Sequence, residues 1–119
     1  MNEKPDAIMI NVPEAFFQDK YPEPVFRRYY ESMGGHANEN GCFYHFISGI
    51  PVYEITEIYI CFKGHVQYKA IVVQFIRNEA PQPGWEKRNW VVTTGPVIKA
   101  PEGLLQKGFR GFRYTHKLF

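Results

Sequence analysis

Lys107, Arg110, Arg113, His116 and Lys117 are interleaved with Phe109, Phe112, Tyr114 and Phe119 between Leu104 and Phe119, and no acid interrupts them. At the centre lies Gly108-Phe109-Arg110-Gly111-Phe112-Arg113-Tyr114. Cations attract phosphates, ring faces stack on bases, and glycines let a ligand approach the main chain. In an extended strand Arg110, Phe112, Tyr114 and His116 share one face, with Phe109, Gly111, Arg113 and Thr115 on the other. That places two rings beside two cations, a surface suited to a nucleic acid. The same letters also suit a strand whose rings fill a core while its cations reach out to water.

Other chemistry has weaker support. Ser32, Ser48, Thr93, Thr94 and Thr115 are possible nucleophiles, and His36, His45, His65 and His116 possible bases. No Gly-x-Ser-x-Gly elbow, protease-like cysteine signature or phosphate-cradling loop accompanies them. Glu54 and Glu57 point to opposite faces if their segment is extended. Cys42-x-x-His45 and Cys61-x-x-x-His65 supply the four side chains a tetrahedral zinc needs. The first pair, however, has odd spacing within an expected strand, so its members diverge. Neither a metal nor another cofactor is expected, and both cysteines read as reduced, buried thiols.

The net charge of +2 conceals a polarity. Residues 1–57 carry −5, residues 58–76 carry +2 and residues 77–119 carry +5. Such segregation suits a polyanion or an acidic protein partner, unless the two halves interleave in space.

The elements that would position these residues are short. Ala7 to Val12 reads as a buried strand stopped by Pro13, and Pro24 can open a helix running to about Met33, which Gly34-Gly35 ends. From Cys42 the period becomes two. Strands are expected over Cys42–Ile47, Thr56–Phe62 and His65–Arg77, the last two joined at Lys63-Gly64 as a hairpin. Val66, Tyr68, Ala70, Val72, Gln74 and Ile76 should share one face of the third. Its later half is apolar on both faces, as in a central strand. Asn78 to Asn89 is a long loop carrying Trp85, Lys87 and Arg88, either the lip of a groove or a cover for the sheet. Short strands at Trp90–Thr93 and Val97–Ala100 flank Gly95-Pro96, and a final strand runs from about Phe109 to His116.

Val52 to Ile76, VYEITEIYICFKGHVQYKAIVVQFI, resembles the central hairpin of the PUA-like superfamily, particularly its ASCH and EVE members. GFRGFRY is similar to the aromatic-basic terminal strand some of them carry. The likeness spans roughly residues 41–116. It implies a PUA-like barrel and binding of RNA or of a modified or flipped nucleotide. The ASCH pocket signature of a glycine followed by lysine, glutamate and arginine has no match, because Arg27-Arg28 lacks the preceding glycine. An ASCH-like amidohydrolase using Thr93 or Lys69 is the enzymatic alternative that the resemblance leaves.

The expected architecture is one α+β domain over residues 1–119: a small, mostly antiparallel β-barrel with one or two short helices near the N-terminus. No apolar run approaches the about 20 residues of a membrane helix, and no secretory signal is visible, so a soluble, cytoplasmic protein is expected. The leading functional expectation is a non-catalytic nucleic-acid-binding module, with RNA favoured. Lys63, Lys69, Arg77, Lys87, Arg88, Arg110, Arg113 and Lys117 would face phosphates, and Trp85, Trp90 or Tyr114 would stack. The rival is a protein-interaction module, such as a small accessory or phage-encoded regulator docking on an acidic partner. Oligomeric state is not legible.

Overall fold

The computed structural model describes residues 4–12, 42–109 and 111–119. Six strands make one sheet: β1 (Ala7–Asn11), β2 (Cys42–Phe46), β3 (Glu57–Phe62), β4 (His65–Glu79), β5 (Arg88–Lys99) and β6 (Phe112–Thr115). Their order is β2-β5-β4-β3-β1-β6. The barrel expectation is therefore corrected. The sheet is open, with β2 and β6 as its edges, and β1 lies parallel to β3 while the other pairs are antiparallel. Among the described residues there is no helix, so the α+β reading also fails there. The helix expected over 24–33 lies outside the described residues. Among the described residues no helix is long and apolar enough to cross a membrane.

The most local expectation is met. Phe62 pairs with His65 across Lys63-Gly64, whose φ angles of 54° and 75° are both positive. That is the turn whose twist matches the strands, and glycine supplies its second position without strain.

Alternation gives the sheet two buried faces. On the isoleucine face, Ile8, Ile58 and Ile60 pack with Phe62, Tyr68, Ala70 and Val91, and Ile47 and Ile55 of the β2–β3 connection cover them. Each isoleucine removed wholly from water contributes about 1.5–3 kcal/mol. On the opposite, Tyr59 face, Ala7, Met9, Tyr59, Cys61 and Val66 form a second cluster under Ala100, Leu104, Phe109 and Phe119. Segment 100–109 is tied down by main-chain bonds from Ala100 to Gln67, from Val66 to Leu104 and from Gln106 to Gly64.

Bulges break the expected alternation of β4. The register slips between Ile60 and Cys61, so Val66 joins the Tyr59 face while Tyr68 stays on the isoleucine face. A second slip between Val72 and Gln74 turns Phe75 onto the isoleucine face. An extra residue shifts a period-two pattern by one and exchanges its faces. The later half of β4 is also not enclosed as expected. β3 pairs with β4 only as far as Ile71, and Val73 beyond it is 50% exposed. Gly95-Pro96 does not divide two strands. It falls between the Ile71–Thr94 and Lys69–Ile98 pairs, inside one irregular β5.

Candidate functional site

The expected cation and ring residues separate into two groups. They lie along the two edge strands of the sheet, β6 and β2, although the sheet curves enough to bring Ser48, just after β2, against Gly111, just before β6.

The first group lies along β6. Gly111 enters this strand at φ 68°, and a Cβ there would come within 2.9 Å of Ser48 Oγ. Glycine therefore suits the position both conformationally and sterically. From there the faces alternate as the sequence implied. Phe112 and Tyr114 pair with Ile10 and Ile8, while Arg113 pairs with Met9. Phe112 packs against the isoleucine core rather than facing solvent. Tyr114 keeps 37% exposure, yet its hydroxyl accepts the Val52 N–H at 2.9 Å and its ring meets Tyr53 edge-on. On the other face the Arg113 guanidinium lies 5.2 Å from the centre of the Phe109 ring. Lys107, Arg113 and Lys117 are exposed, and among the described residues none has a carboxylate within ion-pair reach. The nearby acid is Asp6, 3.9 Å from His116. Pairing of β6 with β1 thus brings the basic end of the chain beside its acidic end, so charge segregation in sequence is only partly segregation in space. Arg110 lies outside the described residues.

The second group closes the β4–β5 end beside β2. Trp90 is buried, and its indole N–H donates to the main-chain oxygens of Glu79 and Glu86, which fastens the intervening loop over it. Phe46 and Trp85 stand 4.4 and 5.5 Å from Trp90, and Tyr44 meets Trp85 edge-on at 5.1 Å. Trp85 retains 38% exposure. Arg88 covers Phe46 at 3.6 Å and donates to Glu86 at 3.2 Å. Its charge is therefore already answered within the molecule. Arg77 and Lys87 are exposed near the same end. Tyr44 and Phe46 were not singled out by the sequence reading, although the run Phe43-Tyr44-His45-Phe46 is an aromatic signal that could have found them.

Two expected cations sit apart from both groups. Lys63 is exposed in the β3–β4 turn. Lys69 is only 9% exposed, its ammonium donating to the Phe119 main-chain oxygen beneath the tail.

The catalytic candidates present one close pair. Thr93 Oγ1 lies 3.4 Å from His45 Nε2, across neighbouring strands β5 and β2. Thr93 is completely buried. Dense packing around His45 pushes its pKa down to about 4, so a neutral imidazole faces the hydroxyl at pH 7. In that state the imidazole tautomer sets which of the two groups donates, and either way the contact satisfies a buried polar atom. Burial likewise pushes the Cys61 thiol up to about 12, far from the thiolate needed for nucleophilic or metal chemistry. Among the described residues no cluster of three histidine, cysteine or acidic side chains could hold a metal.

No family model matches the chain, and neither a curated protein nor a solved structure matches it.

Proposed function

We propose that this protein is a non-catalytic module that binds single-stranded nucleic acid along its β6 edge, RNA being the favoured form. One observation carries the reading: Lys107, Arg113 and Lys117 are exposed with no acidic partner among the described residues. The Phe109 ring lies under Arg113, and the half-open ring of Tyr114 stands on the opposite face of the same edge strand. Unpaired cations can displace the counterions of a phosphate chain, and each stacked base adds about 1–3 kcal/mol. A single strand fits best because its bases are free to stack on so narrow an edge. Lys69 and Trp90, being buried, have no part in this contact surface. Arg88, already paired, has at most a secondary one.

The test is fluorescence anisotropy with RNA and DNA oligonucleotides of one sequence between 50 and 200 mM salt, a range over which about six or more phosphate contacts change affinity by orders of magnitude. Affinity should fall log-linearly with salt, and Arg113→Ala with Lys117→Ala should flatten the slope by about 1.4 for a single strand. A slope that the double substitution leaves unchanged contradicts the assignment of this edge.

A second reading, as a protein-interaction module, has its own observation. Beyond Val72, whose N–H still donates to the Thr56 oxygen at 2.9 Å, the β3 side of β4 has no strand partner among the described residues, and Val73 is exposed there. An open strand edge of this kind is a template for an added peptide strand. A protein retained in pull-downs after nuclease treatment, and lost with Val73→Lys, would favour it over the first.

A further inference from the structure

Residues 101–103 stand off the sheet between two main-chain ties. Ala100 donates its N–H to the Gln67 oxygen, and the neighbouring Val66 donates its N–H to the Leu104 oxygen, each at 2.8 Å. Adjacent residues of β4 thus hold the two ends of a longer stretch, so Pro101, Glu102 and Gly103 must arch outward. Gly103 turns the arch back at φ 91°, a left-handed conformation that glycine adopts without strain. Beside the arch lies a recess of about 460 Å³, bordered by His65, Gln67, Lys99, Ala100, Pro101 and Glu102. That is ample room for a small ligand. Two charges of opposite sign border this recess, and they do not meet. Lys99 and Glu102 are exposed, and among the described residues neither has a charged partner within ion-pair reach. His65 adds an acceptor. Its Nδ1 lies 3.0 Å from the Lys63 oxygen, which can only accept, so Nδ1 carries the hydrogen and neutral His65 keeps a lone pair on Nε2. Ala100 and Pro101 add apolar surface, but no phenyl or indole ring lines the recess to hold a base by stacking.

We infer that this recess binds a small zwitterion, and that a free α-amino acid with an aliphatic side chain is the class it fits. Lys99 would hold the α-carboxylate, while Glu102 and His65 Nε2 would accept from the α-ammonium. The side chain would rest on Ala100 and Pro101. A ligand carrying both charges answers both borders at once, whereas a simple anion or cation is opposed by one of them. The site shares no residue with the β6 edge, so it stands or falls separately from nucleic-acid binding there.

The experiment titrates L-leucine, N-acetyl-L-leucine and L-leucinamide into the full chain and follows the backbone amide signals of His65, Gln67, Ala100 and Glu102 by NMR. L-Leucine should shift these signals saturably. Each analogue lacks one of the two charges and should bind about three- to fivefold more weakly, the size of one solvent-exposed charge pair. Glu102→Gln should bind L-leucine no better than N-acetyl-L-leucine, and Lys99→Met should bind it no better than L-leucinamide. Both side chains are exposed, so neither substitution disturbs the packed faces of the sheet. Leucine binding that is no tighter than that of either analogue in the unaltered chain would overturn the inference. So would saturable binding that both substitutions leave unchanged, or the absence of any shift at these amides.

Discussion

The two cation-and-ring ends of this sheet contain similar residue types, yet at one of them the central cation and its rings are already engaged with one another, while Arg77 and Lys87 stay exposed around them. At the β2–β5 end, Arg88 lies on Phe46 and bonds Glu86, while Trp90 is buried with its N–H satisfied twice. At the β6 edge, Arg113 and Lys117 are exposed and have no acidic partner among the described residues. Composition alone would rate the tryptophan end higher, because indoles stack well. The difference lies in how many partners each group already has. Rings that pack on one another and cations that face a carboxylate stabilise the fold, and are correspondingly less free to recognise something else.

The contrast can be broken by experiment, beginning with the largest effect. Trp90→Ala should destabilise the protein by about 3–5 kcal/mol in urea unfolding, as expected for truncating a buried indole. Trp85→Ala should cost under about 1 kcal/mol. Equal losses would mean that the exposed indole is as structural as the buried one. Next comes pH. The His45 pKa lies near 4 in the fold and near 6.5 when unfolded, so below pH 6.5 the unfolded chain binds a proton that the native state refuses. Stability should therefore decline between pH 6.5 and 4 and level off below. The loss should be about 2 kcal/mol, discounted from the full shift because the residue retains some solvent contact. His45→Gln should remove that decline, and a decline of equal size in the variant would locate its cause elsewhere.

Gly111→Ala, at the entrance to β6, should cost about 1–2 kcal/mol through its left-handed backbone and the crowding of Ser48. It should also weaken oligonucleotide binding, because it displaces Arg113. Unchanged stability would indicate that the turn rearranges freely. The smallest effect belongs to Glu86→Gln, which releases Arg88. Oligonucleotide affinity should rise by less than about twofold, since an exposed pair contributes at most about 1 kcal/mol and Arg88 still has Phe46 beneath it. A rise of an order of magnitude would move the binding surface to the tryptophan end.

What was legible in the sequence follows the range of the interaction that fixes it. The Lys63-Gly64 hairpin and the alternation of Phe112 to Thr115 depend on neighbouring residues, and the structure has both. Closure into a barrel depends on which distant strands pair, and nothing in the letters marks Ala7–Ile10 as the partner of Phe112–Thr115. The faces of Val66 and Phe75 were misassigned because two bulges shift the register, and a bulge adds no distinctive residue type. Gly95-Pro96 looked like a break, but a local irregularity in β5 accommodates it. In the site, Arg113 and Lys117 could be named from the chain, whereas the burial of Lys69 could not. That burial depends on a phenylalanine 50 positions away folding back over the sheet.

The pairing of β1 with β6 has a consequence for how the polypeptide acquires its shape. Ile8 and Ile10 gain their last neighbours only when Phe112 and Tyr114, far later in the chain, have left the ribosome. Assembly must therefore join sequence ends separated by about a hundred residues, a topology associated with slow folding rather than microsecond collapse. Until that happens, the leading strand exposes a sticky hydrocarbon stripe, and nascent chains of this protein should depend on chaperones more than the finished molecule does.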